Sequence, residues 1–285
     1  MITLVIPVRN RAELVGRTLA SIGAQTRQPA QTVLVDNGST DGSMDVLRAW
    51  AEGRENVEVI SEPRPGAAVA RNAGAARART PYIMFFDSDD VMPPRHIEEI
   101  MRGLRQAGMP ELAAFDVAIT DRRGRRSLKP YRAGEPLRMQ IFHSTFTTQR
   151  MVIAADLWRR AGGWNESLRG WDDLELGARL IVNAQSVCGL RLSEPVEIYQ
   201  QAESITGTDF ASKAGEWERA LDAIALLPGA AKMVAQRRAI LAGEYLREGR
   251  PDLAGPLTPT AGLRLIARYV ALGGRGVERL LRIFA

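Results

Sequence analysis

The sequence predicts an α/β fold: a mostly parallel sheet flanked by helices, followed by a helical extension at the C-terminus. Three observations carry this expectation. Short apolar runs alternate with helix-length amphipathic segments through the first ninety or so residues. The runs end in polar residues rather than fading into turns. Beyond about Ser212 the pattern is helical throughout.

In chain order, "TLVIPV" reads as a first strand, and "ELVGRTLASIGAQ" places Leu14, Thr18, Leu19 and Ile22 at helical spacing. "TVLVD", "GSMDVLRAWAE", "VEVIS", "GAAVARNAGAARA" and "YIMFFD" repeat the alternation, which predicts successive βαβ units. "LAAFDVAITDRRGRRSLKPYR" reads as two strands joined by a glycine-containing turn. Its arginine-rich tip is either a solvated hairpin or a loop that meets phosphate. "FTTQRMVIAADLWRRAGGWNESLRGWDDLELGARLIVNAQ" predicts a strand, a short helix and a second helix starting near Asp172. The helical remainder breaks at Pro228-Gly229, at Gly249-Arg250-Pro251 and between Pro256 and Pro259. The expected division is an α/β domain over 1–208 and a helical region over 209–285.

Composition narrows the class. The 285 residues include 38 Lys+Arg against 33 Asp+Glu, a net charge of +5. So small an excess, with few aromatics among the basic residues, argues against nucleic-acid binding and fits a phosphate-bearing ligand or an anionic surface. A lone Cys188 excludes an intrachain disulfide and suits a reducing compartment. The N-terminus lacks a basic lead and a small-residue cleavage site, and no apolar run approaches the about 18 residues of a spanning helix. A cytoplasmic chain is expected.

The strand ends hold the chemistry. In an open α/β sheet ligands bind beyond the carboxyl ends of the strands, so Arg9-Asn10, Asp36-Asn37-Gly38 and Asp87-Ser88-Asp89 should line one cleft. In "VLVDNGSTDGS", Gly38 permits a tight turn and Ser39 or Thr40 can cap the next helix. Equally, Asp36 and Asn37 can hydrogen-bond a nucleobase edge. Small residues around Arg71 and Asn72 mean close helix packing, and the arginine can meet a base or a phosphate.

"DSDD" brings Asp87, Asp89 and Asp90 together, and such carboxylates repel unless a cation lies between them. Hard oxygen ligands suit Mg²⁺ or Mn²⁺ that also holds substrate phosphates; Asp90 is expected to cap the following helix instead. In "GGWNESLRGWDDLELGARL", Trp164 and Trp171 offer aromatic walls to an acceptor. Asp172 and Asp173 open a helix, where the macrodipole favours acids and where a general base can stand. His96 and His143 have no cysteine companions at zinc spacing.

Taken in order, "LVIPVRNRAELVGRTLASIGAQT", "VLVDNGSTDGS", "PGAAVARNAGAARARTPYIMFFDSDDVMPP" and "GGWNESLRGWDDLELGARL" resemble the family 2 glycosyltransferases of the Rossmann-like GT-A fold, over roughly residues 1–200. The resemblance implies a nucleotide-sugar donor, a divalent cation (Mn²⁺ or Mg²⁺) and inversion at the anomeric carbon. Hexosyl or N-acetylhexosaminyl transfer to a glycan or lipid-linked acceptor follows, in glycan or cell-surface polysaccharide assembly. It places Pro7 and Arg9 at the nucleotide, Asp36 and Asn37 at the base, and Arg71 near the same moiety. Asp87 and Asp89 match the family's D-x-D, Asp89 as the direct metal ligand. Asp173 matches the catalytic base and Asp172 the acid before it. Two positions depart from the pattern: Asn37 stands where the family often has Asp, which opens the base identity, although UDP is the commonest choice. Asp172 stands for the usual Glu. A nucleotidyltransferase would use the same strands and carboxylates but wants a glycine-rich phosphate loop after the first strand, which "PVRNRAELVG" does not supply. A non-catalytic nucleotide-sugar binder would have no need of Asp173.

Projected at 100° per residue, 262–285 gathers Arg264, Arg268, Arg275, Arg279 and Arg282 within about 60° of one another. Leu265, Ile266, Tyr269, Val270, Leu272, Val277, Leu280, Leu281, Ile283 and Phe284 fill the opposite side. Such a helix lies in a membrane interface, here the inner face, or docks on its own domain or on a second subunit of a homodimer.

Overall fold

The computed structural model describes residues 1–200 and 210–274, together with Val277 and Leu281. The first half runs β1 (Ile2–Val8), α1 (Val15–Gly23), β2 (Gln31–Asp36), α2 (Ser43–Ala51), β3 (Val57–Ser61), α3 (Ala67–Ala75), β4 (Tyr82–Phe85) and α4 (His96–Gln106). There follow β5 (Leu112–Ala114), β6 (Val117–Thr120), β7 (Arg126–Lys129), α5 (Pro136–His143), β8 (Met151–Ala154), α6 (Ala155–Ala161), α7 (Asp172–Asn183), β9 (Val187–Gly189) and β10 (Val196–Tyr199). The helical region comprises α8 (Phe210–Ala225), α9 (Ala231–Arg247), α10 (Pro251–Ala254) and α11 (Ala261–Ala271).

A seven-stranded sheet has the order β3-β2-β1-β4-β8-β5-β9. The strands β3, β2, β1 and β4 are mutually parallel, while β8 runs antiparallel to both β4 and β5. The expected α/β class holds, with one reversed strand inside the sheet. Central strands covered on both faces need apolar side chains at every position rather than at alternate ones. Hence Ile2, Leu4, Val5, Ile6, Leu34, Val35, Met84 and Phe85 are all fully buried. One face packs on α1, α2 and α4 through Leu19, Ile22, Leu47, Ile97 and Ile100. The other packs on α3, α6 and α7.

The small residues of α3 serve close packing, as their pattern suggested. A Cβ on Gly74 would stand 2.4 Å from Val5 Cγ1 and 2.9 Å from Val35 Cγ2, so the helix rests directly on β1 and β2. This approach brings Arg71 and Asn72 to the strand ends.

The run "LAAFDVAIT" is not one strand. The chain leaves the main sheet at Phe115-Asp116, and β6 begins a second sheet of order β10-β6-β7. Arg150 holds the turn by donating to the Phe115 carbonyl, and Asp116 accepts from the Tyr131 amide at 2.7 Å. The glycine-containing hairpin lies where expected, between β6 and β7.

The helical region shares a core with α5 and α7: Leu137, Ile141, Leu174 and Ala178 pack with Trp217, Leu221, Leu241 and Tyr245. The boundary expected near residue 208 lies outside the described residues. Fully buried Gln140 of α5 donates to the carbonyls of Phe146, Asp173 and Leu174, so it grips the first turn of α7. A Cβ on Gly177 would meet Gln140 Nε2 at 2.2 Å and the Phe146 oxygen at 2.7 Å. Gly177→Ala is therefore expected to cost about 1–3 kcal/mol in chemical denaturation despite its better helix propensity, because backbone must move.

The C-terminal helix is shorter than its pattern predicted. It ends at Ala271, and Gly273 has φ +78°. Its buried side is Ile266, Ala267 and Val270, packed with α9, whereas Leu265, Tyr269 and Leu272 face outward beside Arg264 and Arg268. Arg275, Arg279 and Arg282 lie outside the described residues. Among the described residues no helix is long and apolar enough to cross a membrane.

Candidate active site

The cleft lies where the parallel strands end. Val8 of β1 pairs with Asp36 of β2, and Val5 pairs with Phe85 of β4, so the three polar clusters emerge at one edge. The loop after β1 is laced to the loop after β2. Asn10, at φ +51°, accepts from the Thr40 amide at 2.9 Å, while its own N–H donates to Ser39 Oγ at 3.0 Å. Ser39 and Thr40 thus tie loops together rather than cap α2, whose N-cap is Gly42 with no side-chain bond. Pro7 is partly buried beneath this loop and Arg9 is exposed beside it.

Asp36 and Asn37 separate into different roles. Asp36 is 4% exposed, and its Oδ1 is buried with no hydrogen-bond partner. Asn37 is fully engaged: Nδ2 donates to the carbonyls of Glu62 (2.8 Å) and Arg64 (2.7 Å), and Oδ1 accepts from the Gly66 amide (2.9 Å). Both of its amide hydrogens are spent on these carbonyls, so it has no side-chain donor left for the expected contact with a base. An amide suits this place because it donates and accepts at once; a carboxylate facing two carbonyls would not.

Arg71 is the centre of the site. It donates through Nη2 to Asp87 Oδ1 at 2.8 Å and through Nη1 to Asp172 Oδ2 at 3.3 Å. Its guanidinium lies 4.5 Å over the Trp164 ring. Burial works against its charge, but Asp87, Asp172 and Asp173 outweigh that, and its pKa is raised. One cation thus joins the acids after β4 to the acids that open α7. Asn72 completes the tie by clamping both main-chain groups of Trp164.

Trp164 does not form the aromatic wall that was expected, whereas Trp171 is half-buried. Trp164 is 2% exposed and packs edge-on against Phe85 at 5.3 Å, because it follows a glycine turn that drops it into the core. Trp171 stacks on Trp217 at 5.2 Å with the rings 17° apart, and Arg237 lies 4.9 Å over it. It sits at φ +52°, a costly conformation for a bulky residue, at the N-cap of α7.

Asp87 accepts from Arg71 and from Gln149. Gln149 also donates to Asp90 Oδ2 at 2.8 Å, and Asp90 Oδ1 accepts from the Tyr199 amide at 3.0 Å. Asp90 therefore does not cap α4, whose N-cap is Arg95. It pins the second sheet to the cleft, and burial with Asp87 nearby pushes its pKa to about 8. Burial and Asp87 likewise raise Asp89. Arg17 donates to the Asp89 carbonyl and lies 4.7 Å over the Tyr199 ring.

Among the described residues no group of three or more His, Cys, Asp or Glu converges on a point. Asp87 and Asp89 are the carboxylates that could hold a cation taking most of its ligands from substrate oxygens and water. Burial and Asp87 disfavour ionised Asp89, and a divalent ion there would relieve that strain. His96 is 1% exposed and edge-on to Phe115, and burial lowers its pKa to about 3, so the ring is neutral inside the core.

At the start of α7, Asp173 is raised to about 7, first by burial and then by Asp172, with Arg71 opposing. A carboxyl poised near neutrality is what proton abstraction needs.

Glycosyl transferase family 2 matches residues 3–156, more than half of the chain. The chain belongs to that family. Family 2 relatives include validoxylamine A glucosyltransferase of Streptomyces hygroscopicus subsp. jinggangensis (strain 5008), 29% identical over 63% of this chain and 51% of its own length. Glycosyltransferase GlyG of Streptococcus pneumoniae serotype 4 is 33% identical over 37% of this chain and 36% of its own. The chain thus spans about half the length, or less, of these curated relatives. Among solved structures, S. aureus TarS 1-349 in complex with UDP-GlcNAc aligns over 98% of this chain and 89% of its own, with TM-score 0.68 and 13% identity. The mannosyltransferase PcManGT from Pyrobaculum calidifontis, in complex with GDP-Man and Mn²⁺, aligns over 99% and 78%, with TM-score 0.55 and 19% identity. Both likenesses establish the shared fold.

Proposed function

We propose that this protein is a metal-dependent inverting glycosyltransferase that moves a sugar from a nucleoside-diphosphate sugar, a UDP-sugar, to a hydroxyl acceptor in glycan or cell-surface polysaccharide assembly. The observation that carries it is the wiring through Arg71, which fixes the Asp87 carboxylate against the acids of α7. A donor site and a base are thereby held at a set separation, as a displacement reaction demands. TarS and PcManGT, with their UDP-GlcNAc and GDP-Man, support a nucleotide-sugar donor.

Asp36, with its unpartnered buried Oδ1, accepts an N–H of the base. Pro7 and Arg9 border the nucleotide, and Asn37 shapes the 62–66 loop beside it. Asp89, with Asp87 behind it, would hold Mn²⁺ or Mg²⁺, which would supply positive charge against the donor diphosphate. Asp173 takes the proton of the acceptor hydroxyl as that oxygen bonds to the anomeric carbon. The bond from that carbon to the diphosphate oxygen breaks on the opposite face, and nucleoside diphosphate leaves. Asp172 keeps Arg71 in place beside the base. The test is release of nucleoside diphosphate from a panel of nucleotide sugars with Mn²⁺ present. One donor turned over by the wild type and lost in Asp89→Asn supports the reading; no release from any donor contradicts it.

The exposed Leu265, Tyr269 and Leu272, flanked by Arg264 and Arg268 with no acid on α11, favour contact with the inner face of a membrane and a lipid-linked acceptor. Leu265→Glu with Leu272→Glu is expected to abolish co-sedimentation with anionic vesicles while leaving the melting temperature unchanged. A concentration-dependent dimer lost in the same variant would assign the face to a second copy instead.

A further inference from the structure

Arg71 is neutralised by its carboxylate partners, but a second cation at the head of α7 is not. Arg237, on α9, lies 4.9 Å over the Trp171 ring, whose other face is stacked on Trp217. Its Nε is buried without a hydrogen-bond partner. No carboxylate among the described residues lies within ion-pair distance, and Glu244, about two turns further along the same face of α9, provides the field that most supports its charge. Burial lowers its pKa, so holding this charge is costly.

The arrangement is built rather than incidental. Trp171 adopts a left-handed backbone conformation to present its ring. The loop before it is fixed by α8, where Glu216 accepts from the Arg169 amide at 3.4 Å. Gly170 passes so close to α8 that a Cβ there would stand 3.3 Å from Glu216 Cβ. Two residues after Gly170 the acids of α7 begin. The cation therefore stands against the segment that carries the base, and it approaches from α9, whereas the donor carboxylates approach from β4. A guanidinium stacked on an aromatic ring, with its Nε unpartnered and no acid partner among the described residues, is suited to a phosphate oxyanion.

We infer that Arg237 binds a phosphate group carried by the acceptor, on the α9 flank of Asp173. This rests on the glycosyltransferase reading and adds a class of acceptor to it: a phosphorylated glycan, or a glycan joined to lipid through phosphate. The phosphate holds the acceptor so that its hydroxyl reaches Asp173; the phosphate itself takes no part in the bond changes.

The test uses the full chain with its donor site filled by nucleoside diphosphate and Mn²⁺. Tryptophan fluorescence, which reports on Trp171 and Trp217, is followed on addition of glycerol phosphate in one arm and of dodecyl phosphate in vesicles in the other. Saturable binding of either probe is expected, weakened at least about tenfold in Arg237→Gln and by less in Arg237→Lys, which keeps the charge but not the planar fork stacked on Trp171. The arm with the tighter binding identifies the source of the phosphate. A wild type that saturates with neither probe, or equal affinity in Arg237→Gln, overturns the inference. Should Arg237→Gln melt early, Arg237→Met against Arg237→Lys makes the same comparison. Failure of the nucleotide itself to bind would instead sink the reading beneath it.

Discussion

Asp173→Asn is expected to lower transfer by about 10²–10⁴-fold, the range that general-base catalysis contributes, while donor affinity stays within error. The amide is close in size to the acid, so the first turn of α7, gripped by Gln140 through the carbonyls of Asp173 and Leu174, persists. What disappears is the ability to take a proton. The wild-type rate should rise with pH through an apparent value of about 7 and then level, because only ionised Asp173 acts as base. In Asp173→Asn the residual rate should have lost this limb. Steady-state rates with donor affinity measured separately decide the matter, and unchanged turnover removes Asp173 from the role.

Arg71→Met should damage both stability and activity. It removes the 2.8 Å and 3.3 Å ion pairs and leaves Asp87, Asp172 and Asp173 without their shared cation. Removing one partner of such a buried set costs about 3–5 kcal/mol. The sign with pH follows from the charges. Arg71 favours the ionised form of Asp173, so its loss raises that pKa further. The penalty is greatest where Asp173 is forced to ionise, above neutrality, and fades as acid protonates it. The acid limb of the rate profile should move upward for the same reason. Arg71→Lys keeps the charge but not the fork that reaches two acids, and should fall between. Denaturation at pH 5.5 and pH 8 distinguishes this account from simple packing loss against Trp164, which would be equal at both.

The central strands were legible because burial on both faces leaves continuous apolar runs, and the acids were legible because their clustering needs a cation or a proton to explain it. Gln149 was not. It meets Asp87 because β8 runs antiparallel to β4 in the register Met84 to Val152, which when extended sets Gln149 opposite Asp87. Nothing local in "FTTQR" signals a pairing over 62 residues of chain. Trp164 and Asn37 failed for a different reason: residue type suggested a ligand, but direction decides, and both point into the protein. Arg237 belongs to a segment outside the motifs, and it reaches α7 only because α8 and α9 share a core with it. In 262–285 the Gly273-Gly274 pair already weakens a continuous helix. The left-handed Gly273 follows the end of α11, and docking on α9 selects Ile266, Ala267 and Val270 from a wider apolar face.

The central claim is that the strand-end cleft takes a nucleotide sugar through a cation held at Asp89. A thermal-shift panel of nucleotide sugars, with and without Mn²⁺, measures it directly on the wild type and on Asp89→Asn. Ligand at a hundred times its Kd stabilises by about 2.7 kcal/mol, a readable rise in melting temperature. The account predicts that rise for donors of one base, dependent on Mn²⁺ in the wild type and absent in Asp89→Asn. No shift with any nucleotide sugar, or a metal-dependent shift undiminished in Asp89→Asn, would contradict it.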